Sequence, residues 1–117
     1  MARKSKTTAP RRLPAHFVRF QKQFPAVFAA YDALGNAVAG AGPLDDRQRA
    51  LVKLGIAIGA QMEGAMHSHC RRALEAGYSP AEIRHSVLLA TTTLGFPSMM
   101  KALSCVEDIL TPGQPGK

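Results

Sequence analysis

The sequence predicts an all-α protein, a bundle of about five to six helices that assembles with copies of itself. Three observations predict it. Apolar residues recur at three- and four-residue spacing from Pro14 to Leu110, with no strand-like alternation anywhere between. Prolines, glycines and capping residues cut that pattern into short helical lengths. The core is also lean: aromatics make up 6% of the 117 residues, with no tryptophan, and small residues bury little apolar area each. A chain this short, holding so little to bury, gains most by covering a face with a second copy.

Each element has its own local reason. Pro14 opens a short helix carrying Phe17, Val18 and Phe20. Pro25 ends it and opens another, with Val27, Phe28, Tyr31, Leu34 and Val38 on one face, until Gly40, Gly42 and Pro43 break it. Asp45 and Gln48 form a capping-box pattern ahead of a longer helix through Leu51, Leu54 and Ile58. That helix should end or kink between Gly59 and Gly64, because each glycine weakens a helix by about 1 kcal/mol. The next runs over Met66 to Ala76 and stops at Gly77, the residue type that a left-handed C-terminal cap favours. Ser79, Pro80 and Glu82 start a further helix expected to hold Ile83, Val87, Leu88, Thr91 and Leu94. Gly95-Phe96-Pro97 makes a tight break, and Met99 to Leu110 a last helix.

The organisation is thus a single helical domain over residues 14–110 between two tails, 1–13 and 111–117. The formal net charge of +7 is concentrated in the first tail, at Arg3, Lys4, Lys6, Arg11 and Arg12. No aromatic residue interleaves those charges, so nucleic acid is an unlikely partner and would be met through the tail alone. The longest charge-free apolar stretches, Leu54 to Met62 and Ser86 to Met100, are too short or too interrupted to span a bilayer. No secretory signal opens the chain, and two cysteines make no disulfide framework, so a reducing cytoplasmic setting is expected.

Candidate chemistry lies between residues 63 and 72. Glu63, His67 and Cys70 stand at i, i+4 and i+7, on one helical face. A carboxylate that orients an imidazole, with a thiol one turn on, suits acid/base or nucleophilic work. The residues equally suit a plain ion pair on a helix end and a small core thiol. The Glu63–His67 pair offers two metal ligands, but zinc needs at least one more, and His16 and His85 are the other histidines besides His69. No spacing here is a metal signature, so neither a metal nor another cofactor is assigned. His69 points to a different surface from Cys70. Cys105, among Leu103, Val106 and Ile109, reads as a buried inert thiol. Met99 and Met100 read as core or oligomer contacts, and His85 as a surface residue.

The run from His69 through Ala73, Leu74, Ala76, Gly77, Ser79 and Glu82 to Ile83 resembles a segment of the carboxymuconolactone decarboxylase / alkylhydroperoxidase D family. Its flanks, Arg47 to Ala60 and Leu88 to Pro97, are similar to the family's neighbouring helices, and the resemblance covers Leu44 to Leu110. It implies an alkylhydroperoxidase D-like helical bundle assembled as dimers, trimers or hexamers. The peroxidase branch carries a Cys-x-x-Cys pair where Met62 and Ala65 stand here, and a relay glutamate near Ala50. His69 alone matches that catalytic set, which excludes a dithiol peroxidase cycle. The decarboxylase branch does without the cysteines and uses histidine on an acidic lactone.

Three functions follow. The first is acid/base chemistry of a decarboxylase or isomerase kind on a small anionic molecule. His69 would act with His67 and Glu63, while Arg71 or Arg72 holds a carboxylate. The second is a redox protein that relies on Cys70 without a cysteine pair. The third is a non-catalytic oligomeric scaffold.

Overall fold

A computed structural model describes residues 14–111. The expected basic tail, residues 1–13, lies outside the described residues, as does the second tail apart from Thr111. The described residues form six α-helices and no strand: α1 (Ala15–Gln23), α2 (Pro25–Ala39), α3 (Asp46–Ala60), α4 (Glu63–Glu75), α5 (Pro80–Leu88) and α6 (Phe96–Leu110). The all-helical expectation therefore holds.

The chain divides into two compact units, Met1–Pro43 and Leu44–Lys117. In the first, α1 and α2 are joined through Phe24, which caps both. The Phe17 and Phe28 rings meet edge-on with centroids 5.9 Å apart, and Phe20 meets Phe28 the same way at 6.5 Å. Such pairs contribute about 0.5–1.5 kcal/mol beyond their buried area.

In the second unit α3 packs on α4, and both α4 and α5 pack on α6. The core comes from one stripe of each helix: Leu54, Ala57 and Ile58; Met66, Cys70 and Ala73; Ile83 and Val87; Met99, Ala102, Cys105 and Val106. These are the i, i+3, i+4 and i+7 positions that turn one helical face inward. Burying each of the larger side chains stabilises the fold by about 1.5–3 kcal/mol.

The helix ends follow from local chemistry. Both expected capping boxes form: Asp45 accepts from the Gln48 amide at 2.8 Å, and Ser79 from the Glu82 amide at 3.0 Å. Gly77, at φ +101°, closes α4: the Tyr78 amide reaches the Ala73 carbonyl and the Gly77 amide reaches Leu74. One expectation is corrected, because α5 does not continue to Leu94. It ends at Leu88 and tightens into a 3₁₀ turn over Leu89–Thr92. Three β-branched threonines follow Ala90, and the Ala90 carbonyl collects the amides of Thr93, Leu94 and Gly95.

Only Gln61 and Met62 separate α3 from α4. Gln61 takes a left-handed conformation (φ 58°) that favours glycine. Its side-chain amide donates to the Ile58 and Ser98 carbonyls at 3.0 and 3.1 Å, and its own carbonyl accepts from Lys101 Nζ. The joint is thereby fastened to the start of α6.

Candidate functional site

Helix α4 carries candidate functional side chains on two flanks, because residues 67 and 69 are about 200° apart around a helix. On the first flank, His67 Nε2 lies 2.9 Å from Asp108 Oδ2 and 4.0 Å from Glu63 Oε2. Asp108 stands on α6 and reaches the imidazole because α4 and α6 pack together. One potential ligand atom each from Glu63, His67 and Cys105 lies within 4.8 Å of the others. Cys105 is buried, His67 partly so, while Glu63 and Asp108 are exposed. The thiol of Cys105 is pushed up from its ordinary value by burial, then by the charges of Glu63 and Asp108, with Lys101 opposing.

The structure thus brings Glu63 and His67 together as their spacing implies, but the sulfur beside them belongs to Cys105. Cys70 turns into the core with no exposed surface, its Sγ 4.0 Å from the Val106 carbonyl. Burial is the chief reason its thiol is pushed up to about 11, so it is uncharged and out of reach at neutral pH.

On the second flank His69 is half-buried, and its Nδ1 has no hydrogen-bond partner among the described residues. Desolvation lowers its pKa first, and the positive charges of Arg72 and Lys53 lower it further. The ring is therefore neutral at neutral pH, with a buried, unpartnered nitrogen and two cations whose charges reach it. Of the two arginines considered as carboxylate clamps, Arg72 acts on His69, whereas the charge of Arg71 acts on Cys70. Lys53, on α3, joins this flank only through the packing of α3 on α4, and nothing in its local sequence marks it.

Two further arginine contacts frame the unit. Arg84 grips Glu107 with both arms of its guanidinium, at 2.6 and 3.0 Å. That hydrogen bonding holds the Glu107 carboxyl below its usual range. Arg47 lies 4.0 Å over the Tyr78 ring and donates to the Ala76 and Gly77 carbonyls, tying the start of α3 to the α4–α5 loop. His85 is exposed, as expected.

The helices and their caps define a fold of known type. Residues 25–108 match the carboxymuconolactone decarboxylase family, and the chain belongs to that family. The match begins at α2, nineteen residues ahead of the Leu44 from which the motif resemblance runs. The chain is 33% identical over 75 residues to the nitrosuccinic acid decarboxylase npaB of Metarhizium robertsii, covering 61% of this chain and 52% of that protein. It is 35% identical over 57 residues to an uncharacterized protein of Haemophilus influenzae, covering 49% of this chain and 50% of that one. The chain spans about half the length of the curated relatives it matches. Its fold is also that of a carboxymuconolactone decarboxylase family protein from Legionella pneumophila, crystallised in its apo form. That match has a TM-score of 0.67 at 22% identity over 82% of this chain and 88% of that one.

Proposed function

We infer that this protein is a lyase that removes carbon dioxide from a small anionic carboxylate, with His69 as its proton carrier, working as a homo-oligomer. The observation that carries this reading is the buried, unpartnered Nδ1 of His69, within reach of the charges of Arg72 and Lys53. A buried nitrogen without a partner costs about 1–3 kcal/mol, a cost that a bound ligand can remove. The two cations favour an anionic ligand there. The relative that decarboxylates nitrosuccinic acid supports the substrate class: a carboxylate whose neighbouring group can accept an electron pair.

In the free protein burial first, and then the charges of Arg72 and Lys53, keep His69 neutral. An anion seated against the two cations offsets their repulsion and adds an attraction of its own, so the imidazole's affinity for a proton rises as the substrate arrives. The C–C bond to the carboxylate then breaks, carbon dioxide leaves, and the electron pair passes to the adjacent electron-withdrawing group. The His69 imidazolium returns its proton to the carbon, and the ring takes another from water. Arg72 holds the remaining negative charge. The burial and raised pKa of Cys70 weigh against the alternative of a thiol-based redox cycle.

The test is carbon dioxide release from nitrosuccinate and a panel of other dicarboxylates activated next to the scissile bond. Turnover that falls on the order of a hundredfold or more in His69→Gln is the expected result. Full turnover in that variant refutes the role of His69, and a panel with no release refutes the lyase reading.

A further inference from the structure

On the opposite flank of α4, we propose that Glu63, His67 and Cys105 form a binding site for a zinc-like divalent transition-metal ion, with Asp108 as its adjacent oxygen ligand. The three potential ligand atoms already lie within 4.8 Å of one another. A tetrahedral ion with bonds of roughly 2.0–2.3 Å holds its ligand atoms roughly 3.3–3.7 Å apart. The closure required is therefore on the order of 1 Å, and it falls to the mobile member of the set. Glu63 is 68% exposed at its side chain and can swing inward, whereas Cys105 and His67 are held by the packing of α4 on α6.

The donor set selects the metal. One imidazole nitrogen, one thiolate sulfur and one carboxylate oxygen suit a borderline ion such as Zn²⁺ or Co²⁺, while Mg²⁺ and Ca²⁺ require oxygen throughout. His67 Nε2 faces both carboxylates, and in the metal-free chain it shares a hydrogen with Asp108 at 2.9 Å. A divalent ion takes the place of that hydrogen: the imidazole binds through Nε2 as the neutral ring with its one N–H on Nδ1, the Cys105 thiol gives its proton to water, and both carboxylates face the cation. Lys101, the nearby cation, bonds the Gln61 carbonyl, and its charge opposes those of Glu63 and Asp108 at Cys105. Two ligands held by helix packing, His67 and Cys105, with the exposed carboxylates of Glu63 and Asp108 on the solvent side describe an accessible site rather than a closed structural one.

The site shares no residue with the His69 flank, so its test needs no turnover. The full chain is stripped with a chelator and titrated with Co²⁺ alone, followed by calorimetry and by absorption. The expected result is one ion per chain and a thiolate-to-cobalt charge-transfer band. That band should vanish in Cys105→Ser and persist in Cys70→Ala. Glu63→Gln, on an exposed side chain that threatens no packing, should weaken binding about tenfold or more. Circular dichroism confirms that each variant is folded. Binding without the charge-transfer band, equal affinity in Cys105→Ser and Glu63→Gln, or no saturable binding by the wild-type chain each overturns the proposal.

Discussion

Cys70 shows how one buried atom imposes a pH dependence on a whole unit. Its thiol titrates near 9 in an unfolded chain and near 11 in the fold, so between those values the folded state holds the extra proton. Stability is then complete below pH 9 and declines as the pH rises towards 11, by on the order of 2 kcal/mol. Thermal melts of wild type and Cys70→Ala across that range check this. The wild type should lose melting temperature more steeply, and parallel curves would refute it. His69 has the opposite sign. Its pKa is depressed, so the unfolded state binds the extra proton below about pH 6.5, and its contribution is lost on acidification. Nuclear magnetic resonance titration should place His69 below that ordinary value in the free chain and move it upward when a dicarboxylate is added. A titration point that ignores the ligand would separate His69 from any anion site. At this scale the sequence was legible only where partners are close along the chain. Glu63 and His67 are visible at one helical turn, but Asp108 and Cys105 are not, because they arrive from α6. Cys70 shared a helical face with Glu63 and His67 and still turned inward, since that face is also the one that packs on α6.

Among the elements, the joints were the most readable features, and for a physical reason. A capping box or a glycine C-cap is complete within about six residues, so Asp45–Gln48, Ser79–Glu82 and Gly77 carry their own instructions. The α3–α4 joint broke the rule, with glutamine standing where glycine was the easier choice. Its left-handed backbone costs about 1 kcal/mol or more, and its side-chain hydrogen bonds to Ile58 and Ser98 offset this. Gln61→Ala keeps the cost and removes the bonds. Urea unfolding should therefore show a loss of about 1–2 kcal/mol, with Gln61→Gly closer to wild type. An unchanged midpoint in Gln61→Ala would mean that those bonds contribute nothing. Arg47 was invisible for the opposite reason. Its contacts with Ala76, Gly77 and Tyr78 lie some thirty residues away, beyond any local pattern.

At the scale of the molecule, apolar stripes run along two of the described helices. Val27, Tyr31, Leu34 and Val38 recur along α2, and Val52 and Ile56 along α3, all substantially exposed in the single chain. Stripes of this kind accord with the oligomer proposed above, because scattered exposed residues need no explanation whereas helical stripes do. Sedimentation should give a mass several times the 12.5 kDa of one chain. Leu34→Arg and Ile56→Arg, each placed outside the core, should shift it downward without lowering helicity. A monomeric wild type, or a mass that both variants leave unchanged, would refute the assembly.

The connections also differ in how much new sequence they can accept. Residues 40–45 between α2 and α3 are exposed and lie outside any helix, while the Gln61–Met62 joint has no slack and is anchored to Ser98 and Lys101. A peptide tag spliced in after Gly42 should leave the Leu44–Thr111 helices undisturbed. The same tag after Gln61 would pry α3 from α4 and, with them, Lys53 from His69. An evolving lineage faces the same asymmetry: it is free to lengthen the protein at one hinge and barred from doing so at the other.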